Sequence, residues 1–317
     1  MKKYISIILS SLLLTSATVQ DAKGEDSSSN TSQFLEVHNP HIPENVVFAD
    51  QTISFDRIDM YERLDRELTS MTYTHGNTLL VIKRANRFFP ILAPILKENG
   101  VPLDILYLAC VESTLNIRAY SPAKAAGLWQ FIPSTGKQYG LEINEYVDER
   151  YNIEKATAAA SRYLKNAYKE YGNWESVAAS YNGGRARITK ELAAQMATSS
   201  FDIYLTDETS RYMFRIIATK LIMENPSAYG FHITADQLYQ PVECDEIIVS
   251  TPVDNWAEWA QNHGITYAQL REFNPWIRAK SLPNKTGKEY KLKIPKQSSL
   301  YRSKQEISVY NPNWVTQ

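Results

Sequence analysis

The sequence predicts a mainly α protein: an all-helical domain followed by a small α/β module. Three observations carry this expectation. Between residues 56 and 225 apolar side chains recur at helical spacing, and no strand pattern of any length intervenes. At about Gln240 the texture changes to a strand–helix–helix–strand order. The chain of 317 residues, 44% of them hydrophobic, is long enough for about two domains of roughly 150 residues and for a buried core. Its charge is balanced at −1, from 34 basic and 35 acidic residues, which excludes a binder of bulk nucleic acid. A mean hydropathy of −0.37, with one strongly apolar segment, excludes a polytopic membrane protein.

Lys2 and Lys3 precede an apolar run from Ile5 to Leu14, followed by Thr15, Ser16 and Ala17. This is the order of a secretory signal peptide over residues 1–24, and the run is too short for a membrane span, so no integral span is expected in the mature chain. No cysteine follows it, so an acylation site is absent. Residues 25–55 begin polar and Ser-rich and go on through Pro40 and Pro43; they are expected to be a linker and irregular segment.

Ile58, Tyr61, Leu64 and Leu68 predict a first helix. A second run starts at Asn77 and is expected to break at Pro90, with a further helix from Ile91 to Asn99. Pro102 suits the first turn of the next helix, which is expected to reach about Leu115. Ile105, Leu108, Ala109 and Glu112 share one face of it. A carboxyl on an apolar stripe is either a helix-end group turned to solvent or a partly desolvated acid with a raised pKa. Ser121-Pro122 and Gly127 mark a turn ahead of Trp129 and Gln130. Residues 154–170, 174–181 and 208–225 read as helices, the second ended by Asn182-Gly183-Gly184.

In the module, Ile247–Val249 is a strand and 255–263 a helix stopping at Gly264. Thr266 caps a second helix ending at Asn274-Pro275, and Lys291–Ile294 alternates as a strand. Residues 297–317 show no pattern. Cys110 and Cys244 leave one disulfide open in an exported chain, although the apolar setting of Cys110 favours a buried thiol. Five histidines without ligand spacing imply no metal site, and nothing implies a cofactor.

Four ordered blocks then stand out. Glu112-Ser113 with Leu115 is followed by Ser121. Gly127-Leu128-x-Gln130-x-x-Pro133-x-Thr135 comes next, then Ala179-x-Tyr181-Asn182-x-Gly184, then Glu208-Thr209-x-x-Tyr212. The stretch resembles the lysozyme-like soluble lytic transglycosylase (SLT) family, in particular its membrane-bound lytic murein transglycosylase D type. Trp129 and Ile132 stand where the wider family often has Met, changes expected to touch the sugar-facing wall. Trp256-Ala257-x-x-Ala260, Gly264-Ile265, Leu270, Asn274-Pro275 and Leu292-x-Ile294-Pro295 are similar to a LysM peptidoglycan-binding module. Its usual Gly-Asp-Thr is replaced by Pro252-Val253-Asp254.

The resemblance implies a lysozyme-like helical domain over 56–239, with its core motifs at 101–225. A LysM-like module over 240–296 and a tail over 297–317 follow. It implies a peptidoglycan lytic transglycosylase that cuts between N-acetylmuramic acid and N-acetylglucosamine and leaves a 1,6-anhydro ring. Glu112 is the catalytic acid and then base. Ser121, Gln130, Tyr181 and Asn182 bind substrate, and Glu208 supports the groove floor. No second acid lies between Ser113 and Leu141, which fits a single-carboxyl mechanism. The plain alternative for Tyr181 is core packing with a satisfied hydroxyl, and for Ser121 a turn. Partners are peptidoglycan strands and, as candidates, other cell-wall enzymes. The expected place is the periplasm, associated with the outer membrane or wall. A non-catalytic peptidoglycan-binding protein and a goose-type lysozyme are the alternatives.

Overall fold

The computed structural model describes residues 38–316; the signal peptide at 1–24 and the first part of the linker lie outside the described residues. The remainder of the segment expected to be irregular is not so. Strands β1 (Asn45–Phe48) and β2 (Gln51–Ser54) pair as an antiparallel hairpin, and Val46, Phe48 and Phe55 enter the main core. The turn residues Ala49 and Asp50 both have positive φ. They lack the Asn-Gly or Asp-Gly signal of such turns. The Ala49 amide instead donates to Asp104 Oδ2 at 2.6 Å, and Lys220 Nζ holds the other oxygen at 2.8 Å.

Helix α1 (Ile58–Tyr73) is followed by α2 (His75–Glu98). The break expected at Pro90 does not occur: Pro90 and Pro94 both lie inside α2. Each proline removes a backbone donor and costs a helix about 3 kcal/mol. Phe88, Phe89, Leu92, Ala93 and Leu96 are buried around them, and packing keeps the helix continuous. A 3₁₀ turn over Leu103–Ile105 leads into α3 (Leu106–Ser113), shorter than expected. Then come α4 (Pro133–Gln138), α5 (Ile153–Tyr171), α6 (Trp174–Gly183), α7 (Arg185–Ala194) and α8 (Asp207–Glu224). Asn152 and Asn173 cap α5 and α6 through their side chains, and Gly172 ends α5 in the left-handed region. Helix α7 was not foreseen; only its Ile188 is fully buried, too narrow a stripe to read.

Helix α8 is the hub, packed against α1, α3 and α6. It is buried nearly all round, from Thr209 to Met223. Glu67 of α1 is buried and accepts from the Arg211 guanidinium of α8, with Arg215 Nε at 3.4 Å.

The C-terminal module has the expected order: β3 (Cys244–Val249), α9 (Trp256–Asn262), α10 (Tyr267–Phe273) and β4 (Tyr290–Pro295). The strands pair antiparallel with Ile247 opposite Leu292. Thr266 and Gln269 form a capping box on α10. The module's core also takes Ala126, Val147 and Tyr151 from the helical part, so its packing does not stop at residue 240. Both cysteines are free; buried Cys110 lies 3.9 Å from Met223 Sδ.

The described part of the tail, expected to be patternless over 297–317, returns to the helical domain. Asn86 of α2 donates to the carbonyls of Tyr239 and Ser308 and accepts from the Tyr310 amide at 2.8 Å. Gln240 Oε1 accepts from the Ser308 amide. Trp314 is buried against Phe89, its indole donating to the Met223 carbonyl at 2.6 Å. Isolated aromatic anchors carry no periodicity, which is why the segment looked featureless.

Candidate active site

Glu112 lies in the last turn of α3, the most apolar short helix of the domain. The helix stops because Thr114 and Leu115 both take positive φ, near 50°. Neither is glycine, and each costs about 1–3 kcal/mol in that region. Burial of Leu115 and an Arg84 guanidinium that donates to the Thr114 carbonyl at 2.9 Å hold them there. The chain therefore turns away immediately after Glu112.

The Glu112 carboxyl is half-buried, and Oε1 accepts a short hydrogen bond from the Tyr212 hydroxyl. Desolvation pushes its pKa from 4.5 up to about 7; the Tyr212 bond pulls it down and the charge of Glu208 adds to the rise. Near pH 7 such a group holds its proton about half the time. It is poised both to give and to take one. The Tyr212 phenol is fully buried and held well above its usual value, by burial first and then by the Glu112 charge, so it stays a donor. Tyr212 stood in the last sequence block, but no role was read for it. A hydroxyl aimed at a particular acid is not visible in spacing.

The turn region at 119–131 folds back beside this acid through single bridges, Tyr120 to Ala126 and Ala126 to Phe131. Ser121 closes its first turn: its Oγ accepts from the Ala125 amide at 3.1 Å and its amide donates to the Ala125 carbonyl. That is the turn role. Gln130 has a φ of 47° and donates its amide to the Gly127 and Ala119 carbonyls, so its donors brace the loop. Trp129, expected as groove wall or core, is core: it is fully buried with its indole on Thr157 Oγ1. Gly127 is required: a Cβ there would meet the Arg150 carbonyl oxygen at 2.0 Å.

Arg150 is the buried pin of this loop. It pairs with Asp148 through Nε and Nη2 and donates Nη1 to the carbonyls of Lys124 and Phe131, at 2.6 and 2.9 Å. Sequence reading missed it because the charges sit in an unremarkable acidic-basic run.

Tyr181, on α6, donates its hydroxyl to the Trp129 carbonyl at 2.6 Å, and its ring packs edge-on against Tyr163. Its pKa is raised well above normal by burial and by the Glu112 charge, so the phenol lies within the field of the acid while its proton is spent on the loop. Asn182 is half-buried at the next position. Glu208 is exposed in the first turn of α8. It does act on Glu112 through charge, which means a second carboxyl exists near the acid although none follows it closely in sequence. The structure thus gathers Glu112, Tyr181 and Glu208 into one electrostatic group with Tyr212, while Ser121 and Gln130 shape the loop. Among the described residues no group of three or more His, Cys, Asp or Glu could hold a metal.

Residues 90–203 match the transglycosylase SLT domain, and residues 245–298 match the soluble lytic transglycosylase C-terminal LysM-like domain. Membrane-bound lytic murein transglycosylase D of Escherichia coli is 30% identical over 260 residues, 80% of this chain and 53% of that protein. Membrane-bound lytic murein transglycosylase C of Haemophilus ducreyi is 24% identical over 180 residues, 49% of this chain and 48% of that one. The 70 kDa soluble lytic transglycosylase of Escherichia coli aligns in structure at a TM-score of 0.36 and 20% identity, covering 51% of this chain and 30% of that one. The chain spans about half the length of the relatives it matches. The SLT match encloses Glu112, Ser121, Gln130, Tyr181 and Asn182; Glu208 and Tyr212 lie beyond it, on α8.

Proposed function

We propose that the protein is a peptidoglycan lytic transglycosylase acting in cell-wall remodelling. The observation that carries this is the half-buried Glu112 carboxyl, raised to about 7 and held by Tyr212. In the reaction, protonated Glu112 gives its proton to the glycosidic oxygen between N-acetylmuramic acid and N-acetylglucosamine. The resulting carboxylate takes the proton of the C6 hydroxyl as that oxygen attacks C1. The C1–O4 bond breaks, a 1,6-anhydro ring forms, and no water is consumed. The attack is intramolecular and begins with the high effective molarity of a positioned group. Tyr212 keeps its donor on Glu112 and moderates the rise in its pKa. Tyr181 and Asn182 line the same site, with the sugar amide as the partner for Asn182.

The LysM-like module supports adhesion to peptidoglycan strands beside the catalytic domain, raising the local substrate concentration. The leading residues support export to the periplasm, at the outer membrane or wall, with other cell-wall enzymes as neighbours. No helix among the described residues is long and apolar enough to cross a membrane. A non-catalytic wall binder leaves the cost of a raised, half-buried carboxyl unexplained.

One observation favours a second reading. The charge of Glu208 reaches Glu112. A second carboxyl can hold a water for hydrolysis, as in a goose-type lysozyme. Mass spectrometry of muropeptides after digestion of purified sacculi decides. Products ending in 1,6-anhydro-N-acetylmuramic acid, lighter than hydrolysed ones by one water, are expected. Mainly reducing muramic acid makes the enzyme a hydrolase, and no release at all refutes both.

A further inference from the structure

Two of the groups that act on the Glu112 proton come from α8. Glu208 and Tyr212 stand four residues apart on one face of that helix, and both reach the acid. Tyr181 of α6 lies in the same field. The Tyr212 hydroxyl meets Glu112 only if α8 keeps one rotation and one height against α3. Apolar burial is non-directional, so it does not by itself select that rotation.

A second row of α8, Asp207, Arg211 and Arg215, lies roughly 100° round the helix from the first. It meets α1, where Glu67 is only 2% exposed. Glu67 Oε1 accepts from Arg211 Nε, and Oε2 accepts from Arg211 Nη2 at 3.2 Å and from Arg215 Nε at 3.4 Å. One side chain thereby ties down a full turn of α8. Arg63, one turn earlier on α1, donates Nη2 to the Ser210 carbonyl at 2.7 Å and lies 4.3 Å over the Phe214 ring. The grip closes on Ser210 and Arg211, the two residues directly before Tyr212. Arg66 adds an exposed pair to Asp207 at 3.1 Å, a contact of the weak surface kind.

Stability does not account for Glu67. A buried ion pair is often no better than apolar side chains of the same volume. Its best-attested use is to fix register, as a single polar side chain does in a coiled-coil seam. A wrong rotation of α8 would leave Glu67 buried without a guanidinium, which is costly. Both α1 and α8 lie outside the residues 90–203 that match the SLT domain, so that match assigns Glu67 no role.

We propose that Glu67 is a positioning residue of the active site: by gripping Arg211 and Arg215 it sets the rotation and height of α8, and so places the Tyr212 hydroxyl on Glu112. It touches no substrate. The proposal rests on the lytic reading above only for what Glu112 then does with its proton.

The test follows the Glu112 carboxyl itself, by carbon-13 NMR of the full chain labelled at its glutamate carboxyls, with Glu112→Gln identifying the signal. Glu67→Asp keeps the charge but is one methylene too short to hold both guanidinium groups. Arg211→Lys keeps the charge but loses the fork. Each is expected to loosen the Tyr212 bond, which lowers the Glu112 pKa, and so to move the titration up by about one pH unit. On soluble strands the alkaline limb of kcat is expected to move with it, with KM unchanged. In a Tyr212→Phe background neither substitution is expected to raise the titration further. Arg66→Ala is expected to leave it in place. A titration unmoved in both Glu67→Asp and Arg211→Lys overturns the proposal. So does an equal rise with and without Tyr212, or an equal rise in Arg66→Ala, since any loosening of α8 would then serve. If Glu67→Asp does not fold, Arg211→Lys carries the same test from the other side of the pair. The titration needs no substrate, so the two readings fail separately. A titration that moves as expected in a protein that releases no muropeptide refutes the lytic reading alone. Muropeptide release with a titration that never moves refutes the role of Glu67 alone.

Discussion

Replacing Glu112 with Gln separates the chemistry of the site from its cost. The amide keeps the shape and still accepts from Tyr212, but it neither gives nor takes the proton. Activity is expected to fall by about 10²–10⁴-fold or more. Stability moves the other way. Glu112 has a folded pKa of about 7 against a usual value of 4.5. Between those values the folded state binds more protons than the unfolded one, so wild-type stability falls as pH rises through the window and levels off above it. At about 1.4 kcal/mol per pH unit, the full cost is about 3 kcal/mol. Glu112→Gln carries none of it. The variant is therefore expected to match the wild type near pH 4.5 and to exceed it by about 3 kcal/mol at pH 8.5. Urea titrations of both proteins across that range read the difference directly, since other titrating groups cancel between them. A stability difference that stays flat with pH would refute the raised carboxyl, and retained activity would place the acid elsewhere.

Three further outcomes are expected. Tyr212→Phe removes the bond that lowers the Glu112 pKa, so the alkaline limb of the activity profile moves to higher pH; an unmoved limb means the bond does not act on catalysis. Asp148→Asn leaves the Arg150 charge buried without its partner and is expected to cost about 3–5 kcal/mol in urea unfolding; a loss below about 1 kcal/mol contradicts the pin. Trp314→Ala empties a fully buried indole site against Phe89 and is expected to cost about 3–5 kcal/mol; a melting temperature equal to that of the wild type shows that the tail does not hold.

Much of this molecule was legible in its sequence, and the reasons are specific. The helical spacing of apolar residues in α1 and α8, the run read as helix α5 and the cap at Thr266 reported real burial and real hydrogen bonds. Glu112 was legible because an acid interrupts an apolar stripe. What escaped depends on contacts between distant segments. The β1–β2 turn is held by Asp104, not by turn residues of its own. Pro90 is tolerated because the core surrounds α2. Tyr212 and Glu208 come to the acid from a helix about a hundred residues away, so the group that tunes Glu112 could not be read from its neighbours. The same distance explains why a search for a second carboxyl along the local sequence found none.

The returning tail imposes an order on assembly. Asn86 is satisfied only when Tyr239, Ser308 and Tyr310 are all in place, and the last of these contacts spans 224 residues. Helix α2 therefore leaves the ribosome long before the chain that completes its surroundings, and Phe89 waits for Trp314. Closures over such separations are paid for in loop entropy before they return any contact energy, and they slow folding. The helical domain cannot finish its core until the module between residues 240 and 308 has been made. The helical domain that holds Glu112 thus gains its final rigidity only after the LysM-like module exists.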